Sequence, residues 1–129
     1  MDLIIVDTPP GLEQRARISE LIRRADFVLV PTSQSTADID SALEFMAATA
    51  ALRAPSAFLL SRTNQRWGSY RMAKKQLNRA GSLCPVDIRQ LRDIEATHDY
   101  GLGINELGGA KGTDDMEAVW EFVRKAIGI

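Results

Sequence analysis

The fold of this protein follows from residues 27–60, which read FVLVPTSQSTADIDSALEFMAATAALRAPSAFLL. Both ends of this segment, 27–30 and 57–60, are short continuous apolar runs, which is typical of strands buried on both faces of a parallel sheet. Between them, apolar residues recur at helical spacing after polar residues that favour helix N-termini. The apolar stripe is Ile39, Ala42, Leu43, Met46, Ala47 and Ala50, and the candidate caps are Ser35, Thr36 and Asp38. Strand, helix and strand in this order predict a parallel βαβ unit.

The residues before this unit predict one more strand and one more helix. Residues 3–7 are a branched apolar run ending in an acid, which favours a buried parallel strand that the turn at 8–11 ends. Residues 13–25 have apolar positions at helical spacing with charges between them, which predicts a helix. We expect Pro31 to end the strand that follows, because proline cannot donate to a β-ladder.

The residues after this unit continue the alternation of strands and helices. We expect a polar loop over 61–69, a helix over 70–80 that Gly81 ends, a weaker strand over 83–88 and a short helix over 89–99. A glycine-rich loop over 101–112 precedes a last helix, for which Asp114 and Glu117 resemble a capping box. Its apolar stripe, which we expect to face the core, is Met116, Val119, Trp120, Val123 and Ile127.

Together these elements predict a single α/β domain over residues 1–129, with a doubly wound, mostly parallel sheet and flanking helices. In such folds ligands bind beyond the carboxyl ends of the strands, where Asp7, Pro31 and Asn64 fall. Apolar residues make up 45% and charged residues 26% of the chain, which is typical of a folded, soluble protein. No run of 18 apolar residues is present, so we expect no membrane span and a cytoplasmic location.

Residues 4–12, IIVDTPPGL, resemble the Walker B segment of the ParA/MinD family of deviant Walker P-loop ATPases. VPT at 30–32 followed by DIDSAL at 38–43, and LLSRTN at 59–64, are similar to later segments of the same family, especially its T-DNA-transfer and plasmid-partition branch. Residues 88–101 resemble the family segment with two arginines three apart, although Ile88 and Thr97 stand where the family has proline. The resemblance runs in order from residue 2 to about residue 127.

The resemblance implies a P-loop fold and a nucleotide site. Asp7 would hold Mg²⁺ through water, which also suits an acid at the end of a buried strand, although many strands without a site end in aspartate. Pro10 and Gly11 would border the nucleotide and Asn64 would lie against adenine. The family uses ATP and Mg²⁺, dimerises, binds DNA without sequence preference in the bacterial nucleoid, and works with partition adaptor proteins.

The phosphate-binding loop of that family, Lys-Gly-Gly-x-Gly-Lys-Thr, has no counterpart here. Residues 108–113, GGAKGT, have Lys-Gly-Thr instead of Gly-Lys-Thr and follow no buried strand, so we expect an exposed loop. We therefore do not expect this chain alone to hydrolyse ATP, and the alternative that this chain has no cofactor stays open. The family's P-loop strand lies beside the Walker B strand, so Leu3 to Val6 would present an open edge. We expect pairing with an N-terminal fragment, strand exchange between two copies, or a truncated copy of a longer protein.

Net charge is only −1, so any affinity for nucleic acid has to come from a local patch. Between Arg62 and Arg79 the chain has six basic residues and no acid, with Trp67 and Tyr70 among them. This stretch predicts either a salt-sensitive surface for non-specific DNA or a solvated helix face. The DNA-binding candidates, with the last two from the resemblance, are Arg62, Arg66, Arg71, Lys74, Lys75, Arg89 and Arg92.

Two functions therefore stay open. One is the C-terminal part of a ParA-like partition ATPase, and the other is a non-catalytic module derived from that fold that binds DNA or protein. A receiver-like α/β domain is disfavoured, because no acidic pocket with a partner lysine is evident.

Overall fold

The structure is a computed structural model that describes residues 2–9 and 14–129. Its helices are α1 (Arg15–Arg24), α2 (Thr36–Ala51), α3 (Gly68–Ala80), α4 (Arg92–Tyr100) and α5 (Thr113–Ile127), with a 3₁₀ turn at Ile104–Glu106. Its strands are β1 (Val28–Thr32), β2 (Ser56–Thr63) and β3 (Ile88–Arg89). The strands are parallel and lie in the order β1-β2-β3. The prediction of an α/β fold with a parallel sheet is confirmed at this level.

Helices cover both faces of the sheet. On one face, Val30, Phe58 and Leu60 pack with buried residues of α2 and α3. On the other face, Leu59 packs with Cys84 and with Val119 of α5. Alternate residues of each strand therefore point into two separate apolar clusters, as a strand's side-chain period of two requires. The crossovers through α2 and α3 share one face of the sheet, and α5 closes the other.

Helix α2 begins as its sequence predicts. Ser35 is the N-cap, and its hydroxyl accepts a hydrogen bond from the backbone N–H of Asp38 at 3.3 Å. Ile39, Ala42 and Met46 from the predicted stripe are buried in the core. Helix α1 also forms within its predicted range.

Among the described residues, no helix is both long enough and apolar enough to cross a bilayer.

The predicted strand at residues 3–7 is wrong for this structure. Residues 2–9 form no helix or strand, and the exposed fractions of Leu3, Ile4, Ile5 and Val6 are 47%, 82%, 80% and 56%. A strand needs a neighbour to satisfy its backbone groups. In the part of the chain that the structure describes, β1 pairs only with β2, and no strand lies along its other edge.

Several element boundaries also differ from the predictions. Pro31 lies inside β1 instead of ending it, which an edge strand tolerates because one side of its backbone has no ladder. Strand β2 continues to Thr63, and the predicted strand at 83–88 shrinks to an isolated bridge at Leu83 and the two residues of β3. Gly112 is the N-cap of α5, so the capping box predicted at Asp114 does not form.

The apolar stripe of α5 is rotated from the predicted one. Val119 is buried, but 39% of Trp120 is exposed. Phe122 packs in the core instead, and its ring meets that of Phe27 edge-on at a centroid distance of 6.1 Å. The core placement predicted for Trp120 is therefore wrong, because a neighbouring face of α5, with Val119 and Phe122, packs against the sheet.

Candidate functional site

The carboxyl ends of β1 and β2 are joined by one buried glutamine. Gln34, 7% exposed, accepts a hydrogen bond from the backbone N–H of Asn64 at 2.8 Å through Oε1. Its Nε2 donates to Ser69 Oγ at 2.7 Å. The loop between β2 and α3 is thereby held at both ends by a side chain from the preceding βα connection. Sequence reasoning missed Gln34, although its place in the polar segment 32–36 after a predicted strand was a signal for it.

The side chain of Asn64 forms a hydrogen bond within this loop. Its Oδ1 accepts a hydrogen bond from the backbone N–H of Arg66 at 3.1 Å. Asn64 lies at the carboxyl end of β2, as expected, but the contact it makes is with the chain's own backbone. The amide thus helps to shape the entry to α3.

A second polar cluster, the Asp87 cluster, consists of Thr63, Tyr70, Lys74 and Asp87. The hydroxyl of Thr63 and that of Tyr70 both donate to the Asp87 carboxylate, the latter at 3.0 Å. Burial, together with the bond to Asp87, raises the pKa of Tyr70 above its usual value. Lys74 lies beside this phenol, with Nζ 3.4 Å from its oxygen and 5.3 Å from its ring centroid.

These contacts divide the predicted basic residues into two groups. Lys74 and Tyr70 are half-buried and belong to the internal cluster. Arg62 is exposed at a bulge in β2 with φ of 53°, and it lies 3.5 Å from the carboxylate of Asp38. Its charge is therefore partly offset by a local acid.

The remaining four cations form an exposed surface, which we call the α3 basic face: Arg66, Arg71, Lys75 and Arg79. None of them forms an ion pair with another residue in the ranges 2–9 and 14–129. The buried side of α3 holds Ala73 and Leu77, so the cations lie on the side turned to solvent. Residues 45–86 contain seven basic residues and no acid, so no carboxylate close in the sequence can neutralise the charge of this face.

Arg89 and Arg92 are placed differently from one another. Arg89 donates from Nε and Nη2 to the two carboxylate oxygens of Asp115, at 2.9 and 3.1 Å. The Asp115 carboxylate raises the pKa of Arg89 and compensates its charge. Arg92 is exposed at the first position of α4. Arg89 is thus ion-paired and Arg92 is exposed, and the roles predicted for both in DNA binding stay predictions.

Among the described residues predicted for Mg²⁺ and nucleotide, Asp7 and Asn64 share no hydrogen bond. Asp7 is exposed, and no hydrogen bond or ion pair links it to Asn64 or any other described residue. Pro10 and Gly11 lie outside the described residues. Within the described ranges, no three His, Cys, Asp or Glu side chains meet to form a metal site. The roles predicted for Asp7, Pro10, Gly11 and Asn64 toward Mg²⁺ and nucleotide therefore stay predictions, and we derive no chemical step from them.

Comparison of the sequence with models of known protein families, and with curated protein sequences, gave no match. Fold and site together define the class of this protein only broadly. It is an α/β domain with a three-stranded parallel sheet, compatible with a Rossmann-like fold, and it carries an uncompensated basic face on α3.

Proposed function

We propose that this chain binds DNA without sequence preference through the α3 basic face, as the DNA-binding part of a ParA-like ATPase. The observation that carries the proposal is the group of four exposed cations without an ion-pair partner in the described ranges. A protein gains affinity for DNA by releasing the counterions that phosphates hold, so uncompensated cations contribute most. A cation already paired with a carboxylate loses that partner when it binds a phosphate.

The spacing of the cations suits a phosphate backbone. Arg71, Lys75 and Arg79 follow each other at intervals of four residues along α3, which corresponds to about 6 Å of rise per interval. Phosphates of one strand of a duplex advance by about 3.4 Å along its axis while they also wind around it, so the straight-line distance between neighbouring phosphates is larger than this rise and comparable to the spacing of the cations. Such contacts read no base edges, which is why we propose binding without sequence preference.

The ATPase part of the proposal rests on the resemblance of residues 4–12, 30–43 and 59–64 to ParA-like segments. The parallel α/β fold is compatible with it. In this proposal ATP and Mg²⁺ are bound by an assembly that includes a phosphate-binding loop from elsewhere, and the DNA-bound protein works with a partition adaptor in the bacterial nucleoid. Calorimetry of the chain with ATP and Mg²⁺ tests this part. We expect no binding by the chain alone, and binding that Asp7→Ala removes would contradict that expectation.

DNA binding is tested by fluorescence anisotropy with a labelled random-sequence duplex over a range of salt concentrations. We expect the triple variant Arg71→Ala, Lys75→Ala, Arg79→Ala to bind at least about 10-fold more weakly at low salt, with a salt slope smaller by about 3. The matched control removes three exposed cations elsewhere: Arg17→Ala, Lys111→Ala and Lys125→Ala. Equal losses in both triple variants would mean that net charge, and not this face, attracts the DNA.

A second candidate function is a protein-binding module. The exposed apolar residues at 3–6 favour it, together with the edge of β1 that has no strand partner among the described residues. Open edges and exposed apolar segments pair with other chains. The occupant in this proposal is a second copy or an N-terminal fragment.

A further inference from the structure

Trp67 is exposed at the N-terminal end of the α3 basic face, where it is the N-cap of α3. Its exposed fraction is 63%, and its neighbours in the face are Arg66 and, one helical turn on, Arg71. Single exposed apolar residues are common on proteins and need no explanation by themselves. An indole between two exposed cations that have no ion-pair partner in the described ranges is a different feature, because the cations attract phosphates to the part of the surface where the ring is exposed.

The backbone of Trp67 is rigidly held. Its N–H donates to the Asn64 carbonyl at 3.2 Å, and its own carbonyl accepts from the N–H of Tyr70 at 3.0 Å. Gln34 ties both Asn64 and Ser69, on either side of Trp67, to the end of β1. An aromatic side chain on a fixed backbone loses little conformational entropy when it binds a ligand.

The other aromatic residue of this stretch is not available. The Tyr70 hydroxyl is bound to Asp87, and the side chain is half-buried. Gly68, next to Trp67, has no side chain, and a Cβ atom placed on it would meet nothing within 4 Å apart from its chain neighbours and the backbone of its own helix. No side chain from elsewhere in the described residues therefore crowds this position.

We infer that Trp67 is a stacking platform for an unpaired base, so that the α3 basic face binds single-stranded DNA with an added contact that a duplex cannot make. This inference rests on the proposed function, because Arg71, Lys75 and Arg79 hold the strand while Trp67 stacks on one base. Bases in a duplex are stacked on each other, and their faces are closed to the ring. Proteins that bind single strands without sequence preference combine these two features, a cationic track and an exposed aromatic ring.

The test compares a labelled thymidine 20-mer with a duplex of the same length in anisotropy titrations. Stacking contributes about 1–3 kcal/mol per base, so we expect Trp67→Ala to weaken single-strand binding about 5-fold or more. Duplex affinity should change less than about 2-fold. Trp67→Phe, which keeps an aromatic face, should restore part of the loss. The matched control is Trp120→Ala, which removes the other tryptophan, partly exposed on α5.

Tryptophan fluorescence gives a second readout. In a Trp120→Phe background, the single strand should quench the emission of Trp67, because direct stacking contact with a base quenches indole fluorescence, and the duplex should not. Circular dichroism of Trp67→Ala checks that the variant is folded, and Trp67→Phe keeps the inference testable if it is not. A uridine 20-mer distinguishes RNA from DNA, and an equal Trp67-dependent loss would support stacking on either strand.

The outcomes separate this inference from the proposed function. If the protein binds neither duplex nor single strand at low salt, both are overturned. If it binds the duplex but Trp67→Ala leaves single-strand affinity unchanged, or weakens both ligands equally, only the stacking role of Trp67 is overturned.

Discussion

Gly112 shows how one residue sets the start of an element. Its φ is 102°, and a Cβ at this position would lie 2.8 Å from Cδ1 of Ile94. Only glycine adopts this conformation without strain, and here the space for a side chain is also taken. The helix α5 that carries Val119 into the core therefore begins at a point that no other residue type fits.

We predict that Gly112→Ala lowers the free energy of unfolding by about 1–3 kcal/mol. Gly108→Ala is the matched control, because it lies in the same loop, has no positive φ and would meet nothing within 4 Å. That control should change stability by less than about 0.5 kcal/mol. Urea unfolding followed by circular dichroism measures both, and equal effects would contradict the role given to Gly112.

Cys84 is 3% exposed, and burial raises the pKa of its thiol. A raised pKa means that the folded state binds the proton more tightly than the unfolded state. The stability that this provides is present below the usual thiol pKa of about 8.5 and is lost as pH rises through the folded-state value.

We predict that the protein loses stability as the pH rises above about 8.5, and that Cys84→Ala loses less stability over the same change of pH. Tyr70, whose pKa is also raised, contributes in the same direction in both proteins at a somewhat higher pH. Urea unfolding at several pH values tests the difference. Identical pH dependence in the two proteins would mean that the thiol does not titrate differently on unfolding.

At the scale of elements, one side of α3 packs against the rest of the fold and the other side is exposed to solvent. The inner side is tied to β2 and to the segment before β3 by the Asp87 cluster, and the outer side carries the basic face. An ionised acceptor makes the bond from Tyr70 stronger than a neutral one would.

We predict that Tyr70→Phe destabilises the fold by about 1–2 kcal/mol and leaves duplex DNA affinity within about 2-fold. A double-mutant cycle with Asp87→Ala should show coupling, since both changes remove the same bond. Anisotropy and urea unfolding measure the two effects separately. A large fall in DNA affinity with intact folding would place Tyr70 in the DNA-binding surface after all.

At the scale of the whole molecule, the apolar segment 3–6 is exposed. Within the described residues, one edge of β1 has no neighbouring strand. Exposing four neighbouring apolar side chains to water is unfavourable in free energy, and pairing with another chain would bury them. The molecule as described thus combines a packed two-sided core with an apolar segment that lies outside it.

We predict that the chain self-associates with rising concentration, and that Ile4→Lys with Ile5→Lys shifts it toward the monomer. Leu102→Lys, at an exposed apolar residue elsewhere, is the control and should leave association unchanged. Sedimentation velocity over a range of concentrations measures the mass. A monomer at every concentration would contradict the prediction.

The amino-acid sequence by itself determined the parts of this protein that depend on local pattern. The stripe and cap of α2, the apolar runs of β1 and β2 and the extent of α3 follow from spacing within a dozen residues, and the parallel α/β class follows from their order. The basic stretch around α3 was visible in the same way.

Only the tertiary structure decided the features that depend on a distant neighbour. Residues 3–6 have the composition of a buried strand, but no strand of the described chain lies beside them. The sheet packs against Phe122 instead of Trp120, and the partners of Tyr70 and Arg89, Asp87 and Asp115, lie 17 and 26 residues away along the chain. Periodicity specifies which residues can share a face, but what covers that face is a property of the packed molecule.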